Sequence, residues 1–159
     1  MDLSVDLLKK VNNVVNNLKN EINQDGDFEA LNIAFKDDDL KEIEEFSQYI
    51  RNNFKNVLIL GIGGSSLGAK TLLSVKKQSK VQILENIDSE SVKDIFNSLD
   101  LNTTAIITIS KSGKTIECIS QTLILLKMYE EKLGIGSIKN HFFFLTEDKD
   151  SPLTQLSKE

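Results

Sequence analysis

Val57-Leu-Ile-Leu-Gly-Ile-Gly-Gly-Ser-Ser-Leu-Gly68 sets a short apolar run, a glycine- and hydroxyl-rich turn and the start of a helix end to end. Thr104-Ala-Ile-Ile-Thr-Ile-Ser-Lys-Ser-Gly-Lys-Thr115 repeats that order with a second loop. A run that is apolar on every side reads as a strand covered on both faces, the state of a parallel sheet. A loop leaving such a strand and opening a helix presents backbone N–H groups and a helix N-terminus at the strand's carboxyl end. That is a site for a phosphate group. Two such loops in one chain point to a phosphorylated small molecule gripped at one end.

Outward from these stretches the chain alternates. Lys80–Leu84 reads as a second strand, and His141–Leu145 as a fourth. Between them lie helical patterns: one from Ser65 with Leu67, Leu72 and Leu73, and one with Val92, Ile95, Phe96 and Leu99. A long third pattern runs from about Lys114 to Leu133. Asp88-Ser89-Glu90 places acids at the start of the second, and Gly134 stops the third. Strands separated by helices predict a doubly wound parallel sheet of α/β class with right-handed crossovers. In the flavodoxin-like order 2-1-3-4 the first and third strands are neighbours, so their loops share one crevice at the topological switch point.

Two helical patterns precede the first strand. Residues 3–23 carry Leu7, Leu8, Val11, Val14, Val15, Leu18 and Ile22 at helical spacing, and Asp25-Gly26 ends the pattern. Residues 27–37 read as a loop. Asp37-Asp38-Asp39 then caps a helix with Leu40, Ile43, Phe46, Ile50 and Phe54 on one face. The expected organisation is a helical cap over 1–54 and a ligand-binding α/β domain over 55–159. Ser151-Pro152 starts a last helix seven residues before the chain ends, which reads as a domain incomplete at its C-terminus with its fifth strand missing.

Composition narrows the function classes. The 159 residues suit one core, with 40% hydrophobic and 27% charged residues. A net charge of −5 disfavours general nucleic-acid binding, so any anion site is local. The single cysteine, Cys118, excludes an internal disulfide and fits a reducing cytoplasm. No apolar run is long enough to span a bilayer, and the N-terminus lacks a signal-peptide core.

Neither loop is a standard nucleotide motif. Gly61-x-Gly63-x-x-Ser66 has Ser at the third glycine of a dinucleotide fingerprint, with Glu85 where an acid could meet a ribose. Gly63, Gly68 and Lys70-Thr71 approach a P-loop, but Ala69 is inserted before the lysine. In Gly113-Lys114-Thr115, Thr108 stands where the first glycine belongs. The plain alternative for the first loop is a glycine turn that lets a helix pack on a sheet. The second loop offers the Ser110, Ser112 and Thr115 hydroxyls and the Lys111 charge, more than a simple helix cap needs.

Val57–Gly68, Glu85-Asn-Ile-Asp88, Ile107–Glu117 and Thr146–Leu153, in this order and at these separations, resemble the glucose-6-phosphate isomerase family, specifically its first sugar-isomerase (SIS) domain. The resemblance implies aldose–ketose isomerisation between glucose 6-phosphate and fructose 6-phosphate, in glycolysis and gluconeogenesis. It implies no metal and no cofactor, and a homodimer for the full-length enzyme. By position, Gly64 and Ser65 would touch the sugar phosphate, and Ser110, Lys111, Ser112, Gly113 and Thr115 would cradle it. Lys114 stands where the family more often has a small hydroxyl residue, and either adds charge or faces solvent. Glu117 matches an accessory acid beside the ring-opening machinery. The family's main base and its ring-opening histidine and lysine have no counterpart here, so the chain alone is expected to be inactive. A non-catalytic phosphosugar sensor and a dinucleotide-binding domain remain as alternatives. His141, at the strand end opposite the loops, is expected to be structural, Cys118 a packing residue, and Glu42, Glu44 and Glu45 a solvated face.

Overall fold

A computed structural model describes residues 3–22, 37, 39–75 and 80–158. The chain divides into two compact units, Met1–Ser47 and Gln48–Glu159. In the first unit, α1 (Leu3–Ile22) is a single amphipathic helix with an i,i+4 ion pair, Asp6 to Lys10, at 3.2 Å. Its Leu7, Leu8, Val11 and Val14 are exposed. The next described helix, α2 (Leu40–Asn53), straddles the division, which therefore falls inside this helix and before residue 54. Leu40 N–H closes on Asp37 O at 3.2 Å, while Asp38 lies outside the described residues. So do the expected helix stop at Asp25-Gly26 and nearly all of the expected loop over 27–37. Leu40, Ile43 and Phe46 are exposed, whereas Ile50, in the second unit, is buried. Glu42, Glu44 and Glu45 are exposed.

The second unit carries a four-stranded sheet of β1 (Asn56–Leu60), β2 (Val81–Leu84), β3 (Thr104–Ile109) and β4 (Phe142–Leu145), in the order β2-β1-β3-β4. All three pairings are parallel, with Leu60 opposite Leu84 on one side and Thr108 on the other. The expected order is thus found. Crossover helices α3 (Gly64–Val75), α4 (Ser89–Ser98) and α5 (Ile116–Leu133) link the strands. Among the described residues three elements were not foreseen. Two are 3₁₀ turns, Leu101–Thr103 before β3 and Ile135–Ser137 after α5, and the third is a short helix, α6 (Ile138–His141), which replaces the expected first residue of the fourth strand. A last short helix, α7, is Pro152–Leu156.

The core lies between the sheet and its helices. Leu58, Leu60 and Ile106 are fully buried, and Phe96, Leu125 and Tyr129 close over them. Each such aliphatic side chain contributes about 1.5–3 kcal/mol on leaving water. Between β3 and α5 the buried Thr122 hydroxyl donates to Cys118 O at 2.7 Å. Thr108 can then donate to Thr122 at 2.9 Å, so both polar groups are satisfied in an apolar layer. The helix ends follow local chemistry. Asp88 Oδ1 accepts from Glu90 and Ser91 N–H at 3.1 and 3.0 Å, and Gly134 (φ +83°) ends α5 with its N–H on Glu130 O.

At the amino end of the sheet an aromatic cluster closes the core. Tyr129 Oη and His141 Nδ1 both reach Thr104 O, at 3.3 and 2.8 Å. A carbonyl only accepts, so His141 carries its hydrogen on Nδ1. Its ring packs between Phe54 and Tyr129, with centroids 5.4 and 5.5 Å away. His141 is therefore structural and far from the loops. Phe54, expected on the α2 face, instead follows the helix and joins this cluster.

Tyr129→Phe removes one of two donors to Thr104 O while His141 keeps the other. It should cost about 0.5–1.5 kcal/mol in urea unfolding, with unchanged ligand affinity. Asp88 is held below the ordinary carboxylate range, first by Ser91 and then by Glu90. The stabilisation from such a depressed group is complete above its unfolded-state pKa and is lost as pH falls through the folded-state value. Melting temperature should therefore drop on acidification, and Asp88→Asn should be less stable at neutral pH with a shallower acid limb.

Candidate active site

Both loops emerge at the carboxyl edge of the sheet, from adjacent strands. In the first, the chain turns at Gly63 (φ +57°), and Gly63 O accepts the N–H groups of Ser66 and Leu67 at 3.1 and 3.0 Å. Gly61 is buried, and a side chain there would lie 3.1 Å from Ser65 O. Ser66 is wholly buried. Its hydroxyl lies 2.7 Å from Glu85 Oε1 and 3.1 Å from Gly63 O. Glu85 also pairs with Lys70. These two partners, Lys70 before Ser66, pull the Glu85 carboxyl below its usual range. The acid that could have met a ribose is thus committed to α3. Gly63 and Gly64 are exposed on this loop, and Ser65 is half-buried.

The second loop folds around Gly113, in the left-handed region at φ +63° and buried. A Cβ there would collide with Ser151 Oγ, and would lie 2.8 Å from Ser151 Cβ and 2.9 Å from Thr146 Oγ1. Glycine is required for both conformation and space. The stretch after β4 braces the loop. Ser110 N–H donates to Leu145 O at 3.0 Å, Glu147 N–H to Lys111 O at 3.1 Å, and Leu153 N–H to Gly113 O at 3.3 Å. Ser151, 2% exposed, caps α7 in a capping box with Thr154, as the Ser-Pro signal predicts.

The hydroxyls of this loop are partly used internally. Ser110 Oγ and Thr115 Oγ1 lie 2.9 Å apart. Two hydroxyls joined by one bond leave one hydrogen free to donate. Ser112 Oγ accepts from Lys114 N–H at 3.2 Å. Thr115 stands at the N-cap of α5 without a capping side-chain bond, so that helix start keeps its donors. Lys111 and Lys114 are exposed. Cys118, 1% exposed, lies 3.7 Å from Ile109 O, and burial pushes its thiol up, the mark of a packing residue.

A cleft of about 620 Å³ opens between the loops. Gly64 and Ser65 line it from the first loop and Lys111 from the second, with Ile109 and Leu145 at the strand ends. Ser110, Ser112, Gly113, Lys114 and Thr115 sit on the same loop without lining this cleft, and Glu117 lies in the first turn of α5. Of the polar lining residues, sequence reasoning missed Thr146 and Glu147. Their signal was available: they follow the carboxyl end of a strand, as both loops do. Glu147 is held below its usual range, first by Lys149 at 2.7 Å and less by Lys111 at 4.0 Å. Among the described residues no cluster of His, Cys, Asp or Glu is arranged to hold a metal ion. No helix among them is long and apolar enough to cross a membrane.

A parallel sheet in the order 2-1-3-4, with two glycine loops sharing a cleft at its switch point, defines an α/β domain of the doubly wound class. The family model for phosphoglucose isomerase matches residues 16–152, and the chain belongs to that family. A glucose-6-phosphate isomerase of Campylobacter jejuni is 35% identical over 126 residues, spanning 75% of this chain and 30% of the relative. A probable glucose-6-phosphate isomerase of Methanococcus maripaludis is 32% identical over 115 residues, spanning 67% and 26%. Among solved structures, a glucose-6-phosphate isomerase of Chlamydia trachomatis matches with TM-score 0.62 and 30% identity, spanning 69% of this chain and 22% of that one. A hypothetical protein of Thermus thermophilus matches with TM-score 0.68 and 27% identity, spanning 76% and 30%. The chain therefore spans 30% or less of the length of each of these four proteins.

Gly113→Ala should destabilise the protein by about 1–3 kcal/mol, the usual cost of overpacking, measured by urea unfolding. The loss arises in the second loop, so amide exchange should quicken first at residues 110–115 and 146–153.

Proposed function

We propose that this chain is the phosphate-gripping part of a glucose-6-phosphate isomerase, acting on glucose 6-phosphate and fructose 6-phosphate. The observation that carries this is the meeting of both loops in one cleft, from the adjacent parallel strands β1 and β3. In this reading residues 55–159 form the SIS-type phosphosugar-binding domain. The Lys111 ammonium and the N–H groups at the start of α5 meet the phosphate oxygens. The spare hydrogen of the Ser110–Thr115 pair, with Ser112, adds neutral donors. Gly64 and Ser65 close the opposite wall, and Glu117 stands one turn into α5 as an accessory acid.

Isomerisation needs a base to move a proton between C1 and C2 and donors to stabilise oxygen charge. No residue of this chain is assigned as that base, so turnover requires groups from outside it. A cytoplasmic location and homodimeric assembly of the whole enzyme belong to the same proposal. The pairing of Glu85 with Ser66 and Lys70 engages both carboxylate oxygens and so weighs against the dinucleotide alternative.

Calorimetric titration of the chain with fructose 6-phosphate, inorganic phosphate and NAD tests the reading. Preference for the phosphosugar supports it; preference for NAD overturns it. Lys111→Ala should weaken phosphosugar binding by about 1.5 kcal/mol, the low end for a hydrogen bond to a charged group because the ammonium is exposed, and leave melting unchanged. Unchanged affinity removes Lys111 from the site.

A further inference from the structure

Glu147 is a carboxylate inside a cleft read as a phosphate site. It lines the same wall system as Lys111, Gly64 and Ser65. Its main chain is tied to that of Lys111. Glu147 N–H donates to Lys111 O at 3.1 Å, and the neighbouring Thr146 hydroxyl donates to the same oxygen at 3.4 Å. Its two oxygens face two lysines: Oε2 is 2.7 Å from Lys149 Nζ, and Oε1 is 4.0 Å from Lys111 Nζ. The Lys149 contact is tight and the Lys111 contact loose, so Lys111 can turn to a ligand while Glu147 stays ionised and in place. Asp148 and Asp150 follow on the same loop, both exposed. The lip is therefore not a simple anion trap.

We infer that Glu147 is a specificity-determining residue, one that weakens the hold on bare phosphate and favours phosphate carried on a hydroxyl-bearing compound. This rests on the phosphosugar reading. Any phosphate that reaches the Lys111 ammonium comes close to the Glu147 carboxylate, and two anions repel. A sugar hydroxyl beside that phosphate instead donates to the carboxylate, a charge-assisted hydrogen bond. The same group thus opposes one part of the ligand and holds another. Inorganic phosphate meets the repulsion without the compensating bond.

The test is Glu147→Gln in the full 159-residue chain, an isosteric change that keeps the backbone brace. Affinities for inorganic phosphate and fructose 6-phosphate are measured by calorimetry at fixed ionic strength. Phosphate should bind about fivefold more tightly, the factor that one unit charge at about 4 Å exerts through water. Fructose 6-phosphate should gain less or lose, so its preference over phosphate falls. A brace or a remote charge alone would move both ligands together, and an unchanged ratio overturns the inference. If Glu147→Gln does not fold, as judged by its melting transition, Glu147→Ser is held to the same ratio. The two levels separate cleanly. A wild-type chain that prefers fructose 6-phosphate, with a ratio unaltered by the substitution, sinks only the role of Glu147. A wild-type chain with no such preference sinks the phosphosugar reading and this inference with it.

Discussion

The parallel pairing of β1 with β3 is the constraint on which the site depends. The register from Asn56 opposite Thr104 to Leu60 opposite Thr108 ends both strands at the same edge. A shift of one residue would turn Leu58 and Ile106, both fully buried, out of the core. The apolar packing thus fixes the pairing, and the pairing fixes the distance between the loops. The helices that follow are held in turn. Thr108 and Thr122 tie β3 to α5, so the start of α5 cannot move away from the end of its strand.

The two loops are built on different principles. The first is closed locally by the Ser66 hydroxyl and the Glu85–Lys70 pair, which belong to α3 and the end of β2. The second closes its own turn, with Gly113 N–H on Ser110 O at 3.1 Å, and is braced from outside by the stretch from Leu145 to Leu153. Its central glycine lies so close to Ser151 and Thr146 that the loop and its brace form one packed unit. A phosphate site needs donors whose positions are set before the ligand arrives, since ordering them on binding would cost affinity. On the reading proposed above, the brace provides that order for the backbone of Lys111 and its neighbours. It also carries Glu147 into the cleft, so the support of the loop and the charge beside it come from the same segment.

Membership in the phosphoglucose isomerase family and a span of 30% or less of those relatives fit together. The described residues hold a sheet edge with its two loops, above a hydrophobic core packed between the sheet and its helices. Tyr129 and His141 seal the amino end around Thr104 O, far from the cleft, which leaves the carboxyl edge free for ligand. The aromatic seal and the cleft therefore lie at opposite ends of the same strands.

The sequence by itself determined the alternation of strands and helices, the placing of both loops at strand ends, and the helix signals at Asp88, Gly134 and Ser151-Pro152. These are local properties: side-chain periodicity, capping oxygens, and glycine where φ is positive. The strand order was legible too, because the two loops made sense only if β1 and β3 were neighbours. What the tertiary structure decided were pairings between residues far apart in the chain. Glu85 is spent on Ser66 and Lys70, Gly113 packs on Ser151, Phe54 leaves the α2 face for His141, and Glu147 stands beside Lys111. No periodicity encodes such contacts. They follow from which strand ends the sheet brings together, and that depends on the packing of the whole core.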